Sequence, residues 1–236
     1  MKNLLIFVNP EKKFTGYNEA LIKIQIDNSL SLGWKKEDIL LITNFDYEYN
    51  GIKAIIVSNE NYCEVRPRST KTATIPELIK SGIIKKGEVY WCHDLDAYEL
   101  NRIGKVELEG FDIGLTDYGY KPRLTLGSFF LKDSSLDIFE WIRKYVFKRG
   151  LEDESMLGRL MKDDKYRSRF RKLNITYNFA IRNIAKVYEM ADKPLKVLHF
   201  RPEPYRINQF MYGENELGRP LMTERLIDIF KSNGIK

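Results

Sequence analysis

Asp94 and Asp96, one residue apart, offer chemistry by their type and spacing. On an extended backbone, side chains at i and i+2 leave the same side, about 6.5–7 Å apart along the strand. Two carboxylates so placed can aim at one point while Leu95 turns away. With phosphate oxygens and water completing the shell, such a pair makes a hard-cation site suited to Mn²⁺ or Mg²⁺. A cation held there would neutralise a diphosphate and stabilise it as a leaving group. An Asp-x-Asp triplet taken alone is more often a turn or a helix cap. Position gives this one its meaning. It follows directly on the apolar run 89–92, and so at the carboxyl end of a strand, where open parallel sheets take their ligands.

The elements that must carry the pair can be read from apolar spacing. Runs 4–8, 39–43 and 54–57 are aliphatic or β-branched and bounded by Asn, Asp, Gly or Lys, which predicts strands. Residues 18–32, with Leu21, Ile24 and Leu32 on their apolar positions and Gly33 beyond, predict a helix. Residues 76–82 predict a short helix with Pro76 in its first turn and Gly82 past its last. Strand, helix, strand, strand, helix, strand implies a largely parallel sheet with helices on its faces.

The second half is less regular. Strands are expected at 112–116, 128–131 and 196–200. Residues 136–148 predict an amphipathic helix with Leu136, Phe139, Ile142 and Val146 on one face, capped by Ser134 or Ser135 and stopped by Gly150. A further helix begins near Glu152-Asp153-Glu154, whose acids suit a helix N-terminus, and another covers 223–232 before Gly234. No repeat or linker divides the chain, so one domain over 1–236 is expected.

Val89-Tyr90-Trp91-Cys92-His93-Asp94-Leu95-Asp96 resembles the metal-binding strand of GT-A glycosyltransferases. Gly127-Ser128-Phe129-Phe130-Leu131 resembles their acceptor-side strand. Leu173-Asn174-Ile175-Thr176-Tyr177-Asn178 is similar to a Leu-Pro…Tyr-Asn segment in retaining members related to glycogenin. His199 falls where that group has its third metal ligand, although the group's glycine after the histidine and its Lys-Pro-Trp are replaced by Arg201-Pro202. The resemblance implies an α/β, Rossmann-like GT-A domain, with 1–96 binding the nucleotide and 97–236 the acceptor. It implies Mn²⁺ or Mg²⁺ on Asp94, Asp96 and His199, and a nucleoside-diphosphate sugar, UDP-sugar favoured, as donor. Val8 and Asn9 would border base and ribose, with Asp46 a weaker candidate. Lys71 and Thr72 would meet the diphosphate or ribose, with Arg66 and Arg68 as alternates. Gly127 and Ser128 would line the site, and Asp153 and Asn178 would stand near the transferred sugar and acceptor. Retention is the favoured outcome. His93, turned away from the aspartates, is expected to be structural.

The formal charge of +6 points to an anionic partner without choosing among a nucleotide diphosphate, nucleic acid and a membrane surface. The stretch 143–172 is basic and interleaved with aromatics, which would suit DNA as an acceptor alongside a glycan, although charge runs are usually solvated faces. Cys63 and Cys92 are no disulfide framework, and no run is long enough to span a bilayer, so a cytoplasmic setting is expected. A haloacid-dehalogenase phosphatase also carries Asp-x-Asp, but on its first strand, which here ends in Asn9-Pro10.

Overall fold

The computed structural model describes residues 1–121, 123–180 and 182–235. Its elements follow in the order β1 (Lys2–Phe7), α1 (Asn18–Ser31), β2 (Ile39–Thr43), β3 (Glu48–Tyr49), β4 (Ile52–Lys53), β5 (Ile55–Ile56), α2 (Thr70–Lys80) and β6 (Tyr90–His93). Then come β7 (Ala97–Glu99), β8 (Ile113–Asp117), β9 (Leu124–Leu131), α3 (Leu136–Arg149), α4 (Asp153–Leu160), α5 (Asp164–Arg167) and β10 (Phe170–Lys172). The chain closes with β11 (Phe179–Ala180), α6 (Ile184–Met190), β12 (Val197–His199), α7 (Pro204–Met211) and α8 (Glu224–Ser232).

Seven strands form the central sheet in the order β10-β8-β9-β6-β1-β2-β5. β6, β1, β2 and β5 run parallel, while β9 is antiparallel to both of its neighbours. β1 lies inside the sheet with both faces covered, which is why it is an unbroken apolar run and not an alternation. Leu4 packs on one face with Ile75, Leu78, Phe129 and Phe139; Leu5 packs on the other with Ile22, Ile26, Leu41 and Trp91. The C-terminal region has its own core, in which Tyr98, Phe200, Phe210 and Phe230 pack against Leu21 and Ile24 of α1. A second sheet, β11-β12-β7, ties that region to the loop after β6.

Several expectations are corrected. The helix expected at 76–82 begins at Thr70 and carries Pro76 in its interior. Burial overrides the proline's missing N–H: Ala73, Ile75 and Leu78 are all within 1% of full burial. Neither serine caps α3 through its side chain. Ser135 Oγ instead donates to Lys132 O at 2.5 Å and the Ser134 hydroxyl to Asp112. The strand expected at 128–131 extends back to Leu124, and that at 196–200 shrinks to three residues. Gly150 ends α3 in the left-handed region (φ 59°), as expected.

Candidate functional site

β6 stops at His93, and residues 94–96 form a turn in which Ala97 N donates to Asp94 O at 3.0 Å. The two aspartates therefore converge through a turn and not through the pleat of a strand. Asp94 N donates to Gly127 O at 2.8 Å, which continues the β6–β9 ladder one step past the strand and holds the turn. Beyond it, β7 pairs with β12, setting His199 opposite Ala97, and Phe200 N donates to Asp96 O at 2.9 Å. A residue a hundred positions downstream is thereby pinned beside the acidic turn.

His199 Nε2 lies 3.2 Å from Asp96 Oδ1 and 3.5 Å from Asp94 Oδ2. The ligand atoms of the three residues lie within 4.8 Å of one another. Two carboxylates and an imidazole are a donor set that Mn²⁺ accepts. The other ring nitrogen, Nδ1, is 2.9 Å from Asn178 Oδ1. A Cβ on residue 127 would stand 2.3 Å from His199 Cε1, so the imidazole occupies space that only glycine leaves open. The residues present fit a divalent cation, provided the imidazole is neutral. In the metal-free protein, burial pushes the His199 pKa down but the Asp96 carboxylate outweighs it, and the net shift is upward. At Asp96 burial pushes the pKa up, but the His199 charge more than offsets it, and the carboxyl ends below its ordinary range.

Lys71, near the start of α2, is the second cation of the cluster. Its Nζ lies 2.6 Å from Asp94 Oδ1 and 2.5 Å from Leu126 O, and only 8% of the residue is exposed. Burial would depress this ammonium, yet the Asp94 carboxylate raises its pKa on balance. Asp153, at the first position of α4, is half-buried and bonded to Thr72, the residue that follows Lys71. Its Oδ2 is 3.1 Å from Thr72 Oγ1, and burial lifts its pKa even though Lys71 pulls the other way. Glu154 accepts from Tyr118 Oη at 2.7 Å and pairs with Arg123 at 3.2 Å.

A cavity of about 300 Å³ opens at the carboxyl ends of β1 and β6, bounded among others by Val8, Asn9, Tyr62, Arg68, Lys71 and Asp94. Of the residues expected in the site, Asp94, Asp96, His199, Lys71, Gly127 and Asn178 are brought together. Others are not. Thr72 is fully buried against Ser69 O and Asp153 and lies outside the cavity lining. Ser128 is buried, its hydroxyl accepting from Trp91 Nε1 at 2.8 Å. Asp46 is exposed and outside the lining. Asn178 meets His199, so its place is behind the metal ligands. Asn9 borders the cavity and is held in place: its N–H and carbonyl pair with the Asn44 amide at 3.0 and 2.6 Å, its Oδ1 accepts from Glu11 N, and its Nδ2 donates one hydrogen to Thr15. Asn44 was missed, although an asparagine directly after β2 was the available signal. His93 is structural as expected, stacked on Trp91 at 3.9 Å and bonded to Asn3, with burial pushing its pKa down to about 3.

No protein-family model matches the chain, and no curated protein matches it. Solved structures do share its architecture, and they define its class as the glycosyltransferase GT-A fold. The galactosyltransferase LgtC, solved with donor and acceptor sugar analogs, superposes over 98% of this chain and 96% of its own with a TM-score of 0.60 at 13% identity. A glycosyltransferase involved in the glycosylation of the major capsid of PBCV-1 matches over 84% of this chain and 93% of its own, with a TM-score of 0.53 at 10% identity. The glycosyltransferase GlyE of Streptococcus pneumoniae TIGR4 matches over 100% of this chain and 61% of its own, with a TM-score of 0.55 at 14% identity. At such identities the likeness is one of fold, and function has to be argued from the site.

Proposed function

We propose that the protein is a divalent-metal-dependent glycosyltransferase, which moves a sugar from a nucleoside-diphosphate sugar to a hydroxyl. The observation that carries this reading is the meeting of Asp94, Asp96 and His199, with Asp94 also lining a cavity on the carboxyl edge of the sheet. Neighbours of the same fold named as glycosyltransferases support it. Mn²⁺ or Mg²⁺, when bound, would supply positive charge to the departing diphosphate. Val8 would border the base, with UDP-sugar the favoured donor. Asn9 would shape that wall, its backbone N–H and Oδ1 engaged with Asn44 and Glu11 and its Nδ2 keeping a second hydrogen for the ligand. Lys71 is placed to share its ammonium between Asp94 and a sugar or phosphate oxygen. Arg68 lines the same cavity as an exposed guanidinium suited to phosphate oxygens.

Asp153, half-buried and bonded to Thr72, is the carboxylate we assign to the sugar's reacting face. Retention is the favoured outcome, because Glu154 is already committed to Tyr118 and Arg123 and is poorly placed to serve as a free base. The domain is taken as the whole chain, 1–96 serving the donor and 97–236 the acceptor. A glycan hydroxyl is the favoured acceptor over DNA. Within the basic stretch, Arg169 is bound by Asp112 and Asp137, Lys172 by Asp117, and Arg171 by the Glu107 carbonyl. No helix among the described residues is long and apolar enough to cross a membrane, and a cytoplasmic setting remains our reading.

The test is to offer UDP-, GDP- and other nucleotide-sugars with Mn²⁺ and measure release of the nucleoside diphosphate. At least one donor should be turned over by wild type and none by Asp94→Ala. Turnover that survives both the substitution and chelation would reject the metal mechanism.

A further inference from the structure

Asn178 is almost fully buried, and its amide is only half used: Oδ1 meets His199 Nδ1 at 2.9 Å, while Nδ2 has no hydrogen-bond partner among the described residues. An unpaired buried amide N–H is costly, about 1–3 kcal/mol, so an asparagine kept here must return something for it. Leucine has the same branched shape and would carry no such cost. What the amide oxygen supplies is a partner for one specific nitrogen of one specific ring.

We propose that Asn178 is a positioning residue for the metal centre, acting through His199. With Nδ1–H committed to the Asn178 oxygen, Nε2 is the nitrogen that faces the cation, and it already points at the Asp94 and Asp96 carboxylates. Gly127 completes the device by leaving room for the ring, since even a methyl group on residue 127 would collide with it. β11, which starts directly after Asn178, runs parallel to β12, and β12 pairs with β7, so one small sheet aligns amide, imidazole and acidic turn in a row. Ligating histidines are generally oriented by a hydrogen bond to their second nitrogen, and losing that bond typically costs 10–100-fold in metal affinity. The assignment moves Asn178 away from the reacting sugar and makes Gly127 a spacer for the ring.

This inference rests on reading Asp94, Asp96 and His199 as a metal centre. Its test needs no sugar donor: Mn²⁺ affinity is measured on the whole chain by titration calorimetry or by the free-Mn²⁺ resonance signal. Asn178→Leu should weaken Mn²⁺ binding 10–100-fold. Asn178→Asp, whose carboxylate also accepts from Nδ1–H, should stay within a few-fold of wild type. Gly127→Ala should lose as much affinity as His199→Ala. The decisive arm is the double variant. In a His199→Ala background, Asn178→Leu should cost nothing further, because the residue it orients has gone. If the leucine variant does not fold, Asn178→Ala runs the same cycle. Unaltered affinity in Asn178→Leu, an undiminished loss in the His199→Ala background, or a wild type that binds no Mn²⁺ would each overturn the inference. A chain that shows the coupling yet hydrolyses no nucleotide-sugar would instead sink the enzyme reading alone.

Discussion

The two halves of the chain build the same site in different ways. Up to Asp96, the cavity is built on neighbouring strands of one parallel sheet, in which β1 is flanked by β6 and β2 in a regular register. It is walled by Tyr62, Arg68 and Lys71 from the segment that leads into α2 and its first turn. Past Asp96, the contributions arrive from short, widely separated pieces: Gly127 on β9, Asp153 on α4, Asn178 before β11 and His199 on β12. The first half is a scaffold that holds an edge. The second is a set of single residues delivered to that edge, each dependent on long-range pairing. The difference teaches that a regular scaffold can fix where a site lies while its chemistry is completed by the part of the chain with the weakest local pattern.

If the delivery is that dependent on tertiary packing, the C-terminal core should matter to the metal centre as well as to stability. Phe200→Ala, which removes a buried ring packed on Tyr98, Phe210 and Phe230 next to His199, should cost ~3–5 kcal/mol in urea unfolding. It should also weaken Mn²⁺ binding; stability lost with metal affinity intact would break the link between core and site. Asp96→Asn should reduce donor hydrolysis by about 10²–10³-fold, the scale of removing one preorganised electrostatic group, with the circular dichroism of the fold unchanged. A smaller effect is expected in the first half. Asn44→Ala removes the amide that pairs with both main-chain groups of Asn9, and it should destabilise by about 1–3 kcal/mol. Nucleoside-diphosphate binding should weaken while Mn²⁺ affinity holds, and an equal loss of both would argue against separate halves.

The smallest effect is a pH dependence with two signs. His199 holds its proton more tightly in the metal-free fold than in the unfolded chain, chiefly because Asp96 outweighs the effect of burial. Its contribution to stability is therefore full below the ordinary histidine pKa and is lost as pH rises through the raised folded value. A cation needs the imidazole neutral, so Mn²⁺ affinity should climb over the same interval. Melting curves taken with chelator and with Mn²⁺ should diverge as pH increases. Parallel curves would mean that His199 is not a ligand.

Much of the first half was legible before any coordinates. The apolar runs at β1, β2 and β6 and the glycine after α1 are local signals, and strands buried on both faces advertise themselves as unbroken runs. Asp94 and Asp96 were found by spacing, though the geometry assumed for them, an extended strand, gave way to a turn held by Gly127 O. Gly127, Asn178 and Lys71 were placed in the site, but their partners were not foreseen. Thr72, Ser128 and Asp46 were placed there and stand elsewhere. The start of helix α2 carries no apolar run, since threonines and Lys71 fill it, and burial against the sheet is what keeps those residues helical.

From its sequence alone, the chain determined a parallel α/β scaffold and an acidic pair at the carboxyl end of one strand. Periodicity and strand order are properties of neighbouring residues. Which nitrogen of His199 faces that pair, which glycine leaves it room, and which amide holds it were decided only by the tertiary structure. The β7–β12 ladder and the close approach of β9 unite residues up to about a hundred positions apart, and no local pattern encodes a contact across that distance.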